Sequence, residues 1–519
     1  MTRRDLLVLL AAASAKGAAP RRVDLPSRQV RVDLFTAGLE LDPSDFAQSM
    51  RNASVTTVTI SAKSYEGYSY HDTQVGVRHP ALKRDLFGEL VQACKQEGLA
   101  VHYSYPLEAD NLLYRKHPEW RVLFTPLLCL NSPYLDQVVR HNREILTQYP
   151  VDGIYFQAFT QPPCECQWCK GLSAAERATR VENTLSSLVK GAVSYGGRPL
   201  TAVRDESEAF THFEVYEEFD DHNIRFLRTL GKDCLGVVEQ TKRSTCLRLV
   251  ANGAHVCVAP SKLNPAVYQG IGEVYKKLEA LEKWTRNCRA VADIGVYSKI
   301  PYQPVLIELH QQFDILDERS DLALYKLLLL HDRLPVEGYL DRGGAAILSS
   351  PGGTHASGGT VKLHSDTFGD MQQFVLESPF AALEQGRSSE ILATCEGHPF
   401  IVRKAGLVSV ATRLTALPTP VLGALIRALM PRPSVIAPNL PATARVTMLE
   451  QRTQGNLRRI VHILCDGVLE NIQLSVSLPQ HPLGVVLIPS EKPLEFKHNE
   501  FYTTFVVPRV EGHQAIAFE

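Results

Sequence analysis

Residues 30–61, VRVDLFTAGLELDPSDFAQSMRNASVTTVTIS, contain one complete strand–helix–strand unit. The short apolar run Val30–Phe35 predicts a strand, and Val55–Ser61 predicts a second one. Between them, Asp42–Ala53 has a helical pattern that begins with Asp42, suited to the N-cap, and Pro43, suited to the first helical position. Because an intervening helix lets two strands run in the same direction, this stretch predicts a parallel α/β sheet.

The same alternation continues as far as Trp284. Further strand candidates lie at Leu99–Tyr105, Gly153–Gln157, Leu200–Arg204, Leu235–Glu239 and His255–Ala259. Helical patterns lie near Asp85–Glu97, Pro133–Tyr149, Ala174–Val193, Tyr216–Leu230 and Pro265–Trp284. These strand-then-helix units predict a TIM-like (β/α) barrel over residues 26–292, in which the eighth unit is unclear. A doubly wound open sheet is the alternative, although no G-x-G-x-x-G motif for a dinucleotide follows the first strand.

Two further units follow the predicted barrel. At residues 293–432 the pattern restarts with Ile294–Tyr297 and predicts a smaller, flavodoxin-like α/β domain. At residues 433–519, short alternating runs broken by Pro, Gly, Asn and His predict a small C-terminal antiparallel β-sandwich.

The composition is that of a folded globular protein. The chain has 519 residues, of which 45% are hydrophobic and 21% charged. Its 55 Lys and Arg residues and 56 Asp and Glu residues leave a net charge of −1. This balance gives no electrostatic indication of a nucleic-acid partner. No apolar run is long enough to predict a membrane-spanning helix.

Residues 1–20 have the pattern of a twin-arginine export signal. Arg3 and Arg4 precede a short apolar stretch, Leu6–Ala13, and small residues suited to signal-peptidase cleavage follow it. This pattern predicts an exported bacterial protein, located in the periplasm or outside the cell. A disordered basic N terminus is the alternative.

The segment after the second predicted strand combines aromatic and charged side chains. In a parallel barrel, functional groups gather at the carboxyl ends of the strands, where this segment begins. Aromatic faces stack on the C–H surface of a sugar while charged groups hold its hydroxyls. The segment therefore predicts a sugar site, and a polar surface loop is the alternative. The candidate substrate-binding residues are Lys63, Tyr65, Tyr68, Arg78 and His79, and Glu66 is a catalytic candidate.

Several motifs, met in this order, resemble the hypothetical glycosyl hydrolase group related to α-L-fucosidases. They are Ala62–Tyr68 with His79 and Pro80, His117–Trp120, Cys129–Tyr134, Val151–Phe156, and the cluster of Cys164, Cys166 and Cys169. Trp120 is a candidate sugar-binding residue, with a place in the core as the alternative. A later set is similar to the trimerisation domain of family 42 β-galactosidases and comprises Phe313–Glu318, Tyr325–Leu329 and Gly343 with Gly344.

The resemblance implies a retaining glycoside hydrolase, in which one carboxylate attacks the anomeric carbon and another protonates the leaving oxygen. The family's nucleophile is an Asp that closes the fourth strand, and this chain has Gln157 at that position. Asp152 lies five residues earlier, roughly 16 Å along an extended strand, so we expect it near the opposite barrel end. Glu214 matches a family Glu and is a candidate acid/base or sugar-binding carboxylate, with a solvated surface Glu as the alternative.

Two classes of function are consistent with Gln157 at the position where the family has an Asp. One is an exported glycoside hydrolase whose carboxylates differ from the family pattern, and the other is a non-catalytic carbohydrate-binding relative. The expected partner is a carbohydrate, and the resemblance to a trimerisation domain implies a homo-oligomer, with a trimer as one option. The chemistry implied by the resemblance requires no cofactor.

Three cysteines, Cys164, Cys166 and Cys169, form the one cysteine cluster of the sequence. They supply most of a tetrahedral structural zinc site if Cys129 or a histidine completes it. The alternatives are one disulfide with a free thiol, or three reduced thiols in a loop.

Overall fold

The computed structural model describes residues 28–157, 162–186, 192–195, 212–216, 221–230, 233–297, 303–318, 320–331, 336–349, 358–453 and 456–519. The predicted export signal at residues 1–20 and the predicted strand Leu200–Arg204 lie outside these ranges. Among the described residues, no helix has the length and apolar character needed to cross a membrane.

The first unit alternates strands and helices. Its strands are β1 (Arg28–Val32), β2 (Thr57–Ser61), β3 (Tyr68–Ser69), β4 (Val77–Arg78), β5 (Ala100–Pro106), β6 (Gly153–Gln157), β7 (Ala192–Tyr195), β8 (His212–Tyr216), β9 (Asp233–Val238) and β10 (His255–Val258). Its helices are α1 (Leu34–Ala37), α2 (Pro43–Asn52), α3 (Leu86–Gln96), α4 (Asn111–Lys116), α5 (Tyr134–Gln148), α6 (Ala174–Ser186), α7 (Asp221–Leu227), α8 (Arg243–Ala251) and α9 (Pro265–Thr285). Short 3-10 helices lie at Pro118–Trp120 and Arg228–Leu230.

Eight of these strands form one parallel sheet in the order β7-β6-β5-β2-β1-β10-β9-β8. Successive strands of a (β/α) barrel lie side by side in this order. Among the described residues, the sheet is not closed by pairing between β7 and β8. All five residues of β2 are buried, as expected for a strand that is covered on both faces.

Local sequence explains where the first helices begin. The Asp42 carboxylate accepts a hydrogen bond from the Asp45 amide at 2.8 Å, and Pro43 opens α2, which confirms the predicted N-cap. The prediction of a helix through Val193 is wrong, because α6 ends at Ser186 and β7 begins at Ala192. The β-branched and aromatic residues Val193 and Tyr195 belong to this strand, and its pairing with β6 outweighs the weak local helical pattern.

The second unit is a nine-stranded mixed sheet. Its strands are β12 (Ile294–Tyr297), β13 (Phe313–Ile315), β14 (Leu327–His331), β15 (Ala345–Ser349), β16 (Gly359–Leu363), β17 (Gln373–Leu376), β18 (Glu390–Cys395), β19 (His398–Lys404) and β20 (Leu407–Val410), preceded along the chain by β11 (Cys288–Ala290). Its helices are α10 (Gln303–Glu308), α11 (Glu337–Asp341) and α12 (Thr419–Leu429), with 3-10 turns at Leu322–Leu324, Asp366–Phe368 and Leu414–Ala416. The parallel strands run β13-β12-β14-β15-β20, the 2-1-3-4-5 order of flavodoxin-like sheets. Strands β16–β19 extend this sheet in antiparallel fashion.

The C-terminal unit is antiparallel. Its strands are β21 (Val435–Ile436), β22 (Arg445–Thr453), β23 (Asn456–Val476), β24 (Val485–Ile488), β25 (Lys492–Pro493), β26 (Phe496–His498) and β27 (Thr503–Phe518). Together with β11 they form one hydrogen-bonded sheet, and the pairing of β23 with β27 shifts register between Leu464 and Val468. The two separate sheets of a sandwich stay a prediction.

Buried polar contacts join the units. The Asp293 carboxylate at the start of the second unit accepts hydrogen bonds at 2.6 Å from both the amide and the hydroxyl of Ser434. In the first unit, Arg225 donates to the Phe313 carbonyl of β13 at 2.7 Å. The first contact joins the second unit to the C-terminal unit, and the other joins the first unit to the second.

Candidate functional site

The concave face of the parallel sheet is identified by a contact between Arg31 of β1 and Tyr155 of β6. The Arg31 guanidinium carbon lies 3.6 Å from the centroid of the Tyr155 ring. Strands β5 and β2 separate these two strands, which would place them about 14 Å apart in a flat sheet. The sheet is therefore strongly curved, and both side chains point into its concave side.

Side chains two residues further along each strand point to the same face. Asp33 follows Arg31 in this way, and Gln157 follows Tyr155, so both lie on the concave face at the carboxyl ends of the strands. Lys63, two residues after Ser61 of β2, occupies the same edge. This is the edge where parallel barrels carry their functional groups.

Lys63 forms a buried ion pair with Asp110. Its ammonium lies 2.8 Å from the Asp110 carboxylate, and the two side chains are 2% and 5% exposed. The ammonium also lies 3.4 Å from the Ala109 carbonyl and 4.9 Å from the Tyr105 ring centroid. Burial lowers the pKa of Lys63, and the Asp110 charge opposes this shift. The pair ties the end of β2 to the segment after β5.

Asp110 also positions the candidate sugar-binding segment. Its carboxylate caps α4 by accepting from the Leu113 amide at 2.8 Å. A Cβ on Gly67 would lie 2.4 Å from the same carboxylate, and the backbone there has φ +104, so this close approach requires glycine. The carbonyls of Tyr65 and Glu66 accept from the first two amides of α4, which fixes the segment at this position.

The predicted sugar-binding aromatics form one group around His79. The His79 ring stacks on Tyr70 at 5.8 Å and meets Tyr68 edge-on at 5.3 Å. Tyr65 is 43% exposed, and the exposed Arg78 pairs with Asp72 at 2.9 Å.

Two carboxylates act on the buried Tyr70. Burial raises its pKa first, and the charges of Asp33 and Glu66 raise it further. Asp33 and the predicted catalytic candidate Glu66 are therefore both near enough to Tyr70 to raise its pKa.

Three acidic residues at this edge were missed by the sequence analysis. Glu108 and Asp110 come soon after β5 and are buried, at 2% and 3% exposure, while Asp33 follows β1. The signal was present, because the first two lie immediately beyond the strand predicted at Leu99–Tyr105. Asp33 was included in the predicted strand Val30–Phe35, although β1 ends at Val32.

Gln157, which the resemblance places at the position of the nucleophile, closes β6 and is half-buried. Its backbone carbonyl accepts from the Leu107 backbone amide at 2.8 Å. Asp152 lies at the other end of β6, as expected, where it pairs with Lys95 at 2.8 Å. Glu214 falls within β8, opposite Leu235 of β9, but its side chain lies outside the part of the chain that the structure describes.

Trp120 lies beside the cysteine cluster and apart from the His79 group. Its ring stacks on His117 with 3.6 Å between centroids, and its carbonyl accepts from the Cys129 amide at 2.8 Å. The assignment of Trp120 to sugar binding stays a prediction.

Four thiols converge next to this edge. The sulfur atoms of Cys129, Cys164, Cys166 and Cys169 all lie within 4.8 Å of one another. Cys129 is 3.4 Å from Cys169 and 3.6 Å from Cys166, close to the separation of about 3.8 Å that a tetrahedral Zn–S site requires. None of the four is joined in a disulfide. Burial raises the pKa values of Cys129 and Cys169, so ionising these thiols costs free energy. Binding of a metal to the thiolates offsets this cost.

Comparison with known families supports the resemblance found in the sequence. Residues 42–158 match the family model described as hypothetical glycosyl hydrolase 6. This range includes the Lys63 segment, the buried acids after β5 and Gln157. A search of curated protein sequences gives no match.

Solved structures extend the similarity to the whole chain. The α-L-fucosidase isoenzyme 2 from Paenibacillus thiaminolyticus superposes with a TM-score of 0.79 at 21% identity, covering 95% of this chain and 100% of the other. A β-galactosidase from Rahnella sp. R3 gives a TM-score of 0.63 at 13% identity, covering 96% and 98%. At such identities the similarity shows a shared fold.

Proposed function

We propose that the protein is an exported glycoside hydrolase of the α-L-fucosidase-like group, in which Asp33 takes the role that the family gives to an Asp at position 157. The observation that carries this proposal is that Asp33 and Gln157 share one edge of the concave face. Each lies two residues beyond a member of the contact between Arg31 and Tyr155. An amide at position 157 cannot attack the anomeric carbon, whereas a carboxylate on the facing strand can.

The reaction that follows is a retaining hydrolysis. The Asp33 carboxylate attacks the anomeric carbon, forming a glycosyl ester as the bond to the leaving oxygen breaks. Glu66 donates a proton to that oxygen and then takes a proton from the water that cleaves the ester. Glu66 belongs to the segment whose carbonyls accept from the first amides of α4, near Lys63 at the end of β2. Tyr68, His79 and the exposed Tyr65 would contact the sugar, while the buried Tyr70 supports the His79 ring from beneath.

Hydrolysis of an aryl-glycoside panel that includes α-L-fucoside and β-D-galactoside tests this function. We expect turnover by the wild type and by the control Asp370→Asn, an exposed acid in the second unit. We expect Asp33→Asn to lose about a thousandfold or more, as expected for removal of a catalytic nucleophile. An Asp33→Asn variant as active as the wild type would exclude this carboxylate as the nucleophile.

Gln157 specifically favours a second candidate, the non-catalytic carbohydrate-binding relative. Such a protein would keep the aromatic group and the ion pair of Lys63 with Asp110 but cleave nothing. Calorimetric titration with the free sugars of the same panel separates the two functions. Binding with no turnover in the wild type would favour the binding protein.

The cysteine cluster supports a structural zinc ion held by Cys129, Cys164, Cys166 and Cys169. When bound, the ion would fasten the loop after β6 to the segment around Cys129, beside the proposed site. Soft thiolate donors suit Zn²⁺. Zinc content of the purified protein beside a Cys129→Ser/Cys166→Ser variant checks this assignment.

Export and oligomerisation remain part of the same proposal. Residues 1–20 support secretion by the twin-arginine route, and the resemblance of residues 313–344 to a trimerisation domain supports a homo-oligomer, with a trimer as one option. Fractionation of the source cells and light scattering of the mature protein test these two points.

A further inference from the structure

A second buried cluster of metal-ligating side chains lies behind the sugar-binding segment and is separate from the cysteines. It consists of His71, which follows β3, and of His141 and Glu144 on α5. The two α5 residues are three positions apart and face the same side of the helix. His71 is fully buried, His141 is 2% exposed, and the Glu144 side chain is 9% exposed.

The three candidate ligand groups lie close to one another. Nε2 of His71 lies 3.8 Å from Oε2 of Glu144, and Nε2 of His141 lies 4.0 Å from the same oxygen. All three atoms lie within 4.8 Å of one another. Tetrahedral ligands at zinc are about 3.4 Å apart, so an ion would require the two distances to the Glu144 oxygen to shorten by about half an ångström.

The state of His71 makes this arrangement costly without a cation. Its Nδ1 lies 3.3 Å from the Ala62 carbonyl, which can only accept, so Nδ1 carries a proton. Its Nε2 is buried and has no hydrogen-bond partner within the described residues. This nitrogen instead faces a carboxylate oxygen. Two acceptors that face each other in a buried site repel unless a proton or a metal cation lies between them.

The surroundings supply the hydrogen bonds that orient metal ligands. Glu144 accepts from the Thr73 hydroxyl at 2.5 Å and from the Gln74 amide at 2.6 Å. Nδ1 of His141 lies 3.1 Å from the Tyr105 hydroxyl. The Gln74 amide, which binds Oε1 of Glu144, and the Tyr105 hydroxyl thus contact atoms other than the candidate ligand atoms, as is typical of protein metal sites, whereas the Thr73 hydroxyl binds Oε2 itself. A Cβ on Gly76 would come within 2.6 Å of the His141 ring, so glycine lets this loop close over the cluster.

We propose that His71, His141 and Glu144 bind a divalent transition metal, for which Zn²⁺ fits the two-imidazole, one-carboxylate donor set. On binding, the ion displaces the Ser69 hydroxyl, now 3.2 Å from Nε2 of His141. The bound ion holds the segment at residues 62–76, which carries Lys63 and Tyr68, against α5. This site goes beyond the proposed hydrolase function, because it requires no catalysis and is distinct from the cysteine cluster.

Metal analysis of the full chain tests the proposal. The purified protein is saturated with Zn²⁺, freed of loosely bound ions by gel filtration and analysed by elemental mass spectrometry. Glu144→Gln removes the charged ligand but keeps one acceptor oxygen, for either the Thr73 hydroxyl or the Gln74 amide. His71→Phe keeps the ring contacts to Phe87 and Tyr149. His364→Gln, at an exposed histidine of the second unit, is the control.

With one ion at each cluster, we expect two zinc ions per chain in the wild type and in His364→Gln, and one in Glu144→Gln and His71→Phe. Cobalt substitution gives a second measurement: in the Cys129→Ser/Cys166→Ser variant, bound Co²⁺ should show visible d–d absorption without a thiolate charge-transfer band. Equal zinc content in wild type and a folded Glu144→Gln variant, as judged by circular dichroism, would overturn the proposal, because a proton or water then fills the cluster. Zinc that is lost only from the cysteine variant would do the same while supporting the cysteine site. Zinc that is lost only from Glu144→Gln and His71→Phe would support the histidine site and contradict the cysteine one.

Discussion

The hydroxyl of Ser61, the last residue of β2, lies 3.3 Å from Oδ1 of Asp33 and donates a hydrogen bond to it. The same hydroxyl accepts from the Leu34 amide at 2.7 Å, and Asp33 Oδ1 also accepts from the Phe35 amide at 3.0 Å. Both hydrogen bonds to the carboxylate therefore use Oδ1. In the proposed hydrolase, Oδ2 is the oxygen that attacks the sugar, and Ser61 is a positioning residue.

Ser61→Ala should therefore impair the reaction less than Asp33→Asn. Loss of one orienting hydrogen bond, worth about 1 kcal/mol, predicts a fall in kcat of about tenfold or less with little change in KM. Steady-state kinetics on the best aryl glycoside of the panel measure this. A fall in kcat that is fully accounted for by a loss of thermal stability would instead indicate that Ser61 has a purely structural role.

Gln157→Asp restores a carboxylate at the family position. It places a second negative charge on the concave edge occupied by Asp33, so we expect it to alter the pH profile of kcat in an active enzyme. In the Asp33→Asn background, Gln157→Asp should restore part of the lost activity. A double variant as inactive as Asp33→Asn would show that position 157 no longer reaches the anomeric carbon.

The ion pair of Lys63 with Asp110 makes a prediction about stability. Asp110→Asn keeps the cap of α4 but leaves the buried ammonium without its counter-charge, which costs about 3–5 kcal/mol. Urea unfolding of the first unit measures this change. Adding Lys63→Met should recover most of the stability, and a double variant less stable than Asp110→Asn would contradict the account.

The pH dependence of stability follows from His102, which points into the concave interior of the sheet. Burial lowers its pKa to about 4, with Asp152 opposing and Lys95 assisting the shift. The unfolded chain then binds more protons between its ordinary value of 6.5 and about 4. His102 therefore makes its full contribution to the free energy of unfolding above pH 6.5. This free energy falls by up to about 3 kcal/mol as the pH drops through this window.

Thermal midpoints of wild type and His102→Gln from pH 7 to 4 check this expectation. The variant should lose less stability on acidification than the wild type. Parallel curves for the two proteins would show that other groups control the acid sensitivity.

The amino-acid sequence predicts the regular parts of this protein well, because periodicity and caps are local. Asp42 and Pro43 identify the start of α2, and the strands at residues 99–105 and 153–157 appear close to their predicted bounds. Asp33 is harder to predict, since it directly follows β1, and only its hydrogen bonds with Ser61 and the Phe35 amide show that the strand has ended there.

Clusters built from distant segments are the least predictable feature. Cys129 is one of the options that the cysteine spacing leaves open, but the approach of His71 to Glu144 depends on how the loop at residues 69–76 packs on α5. The sequence places these two residues 73 positions apart, and neither occurs in a recognisable metal motif. Only the tertiary structure brings them together.

Trapping of a covalent intermediate tests the central claim most directly. Wild-type protein is incubated with activated fluorinated glycosides of the sugars in the panel, digested, and the labelled peptide is identified by mass spectrometry. The account predicts a sugar attached to Asp33. A label on another carboxylate, or turnover of the parent aryl glycoside with no label on any peptide, would contradict it.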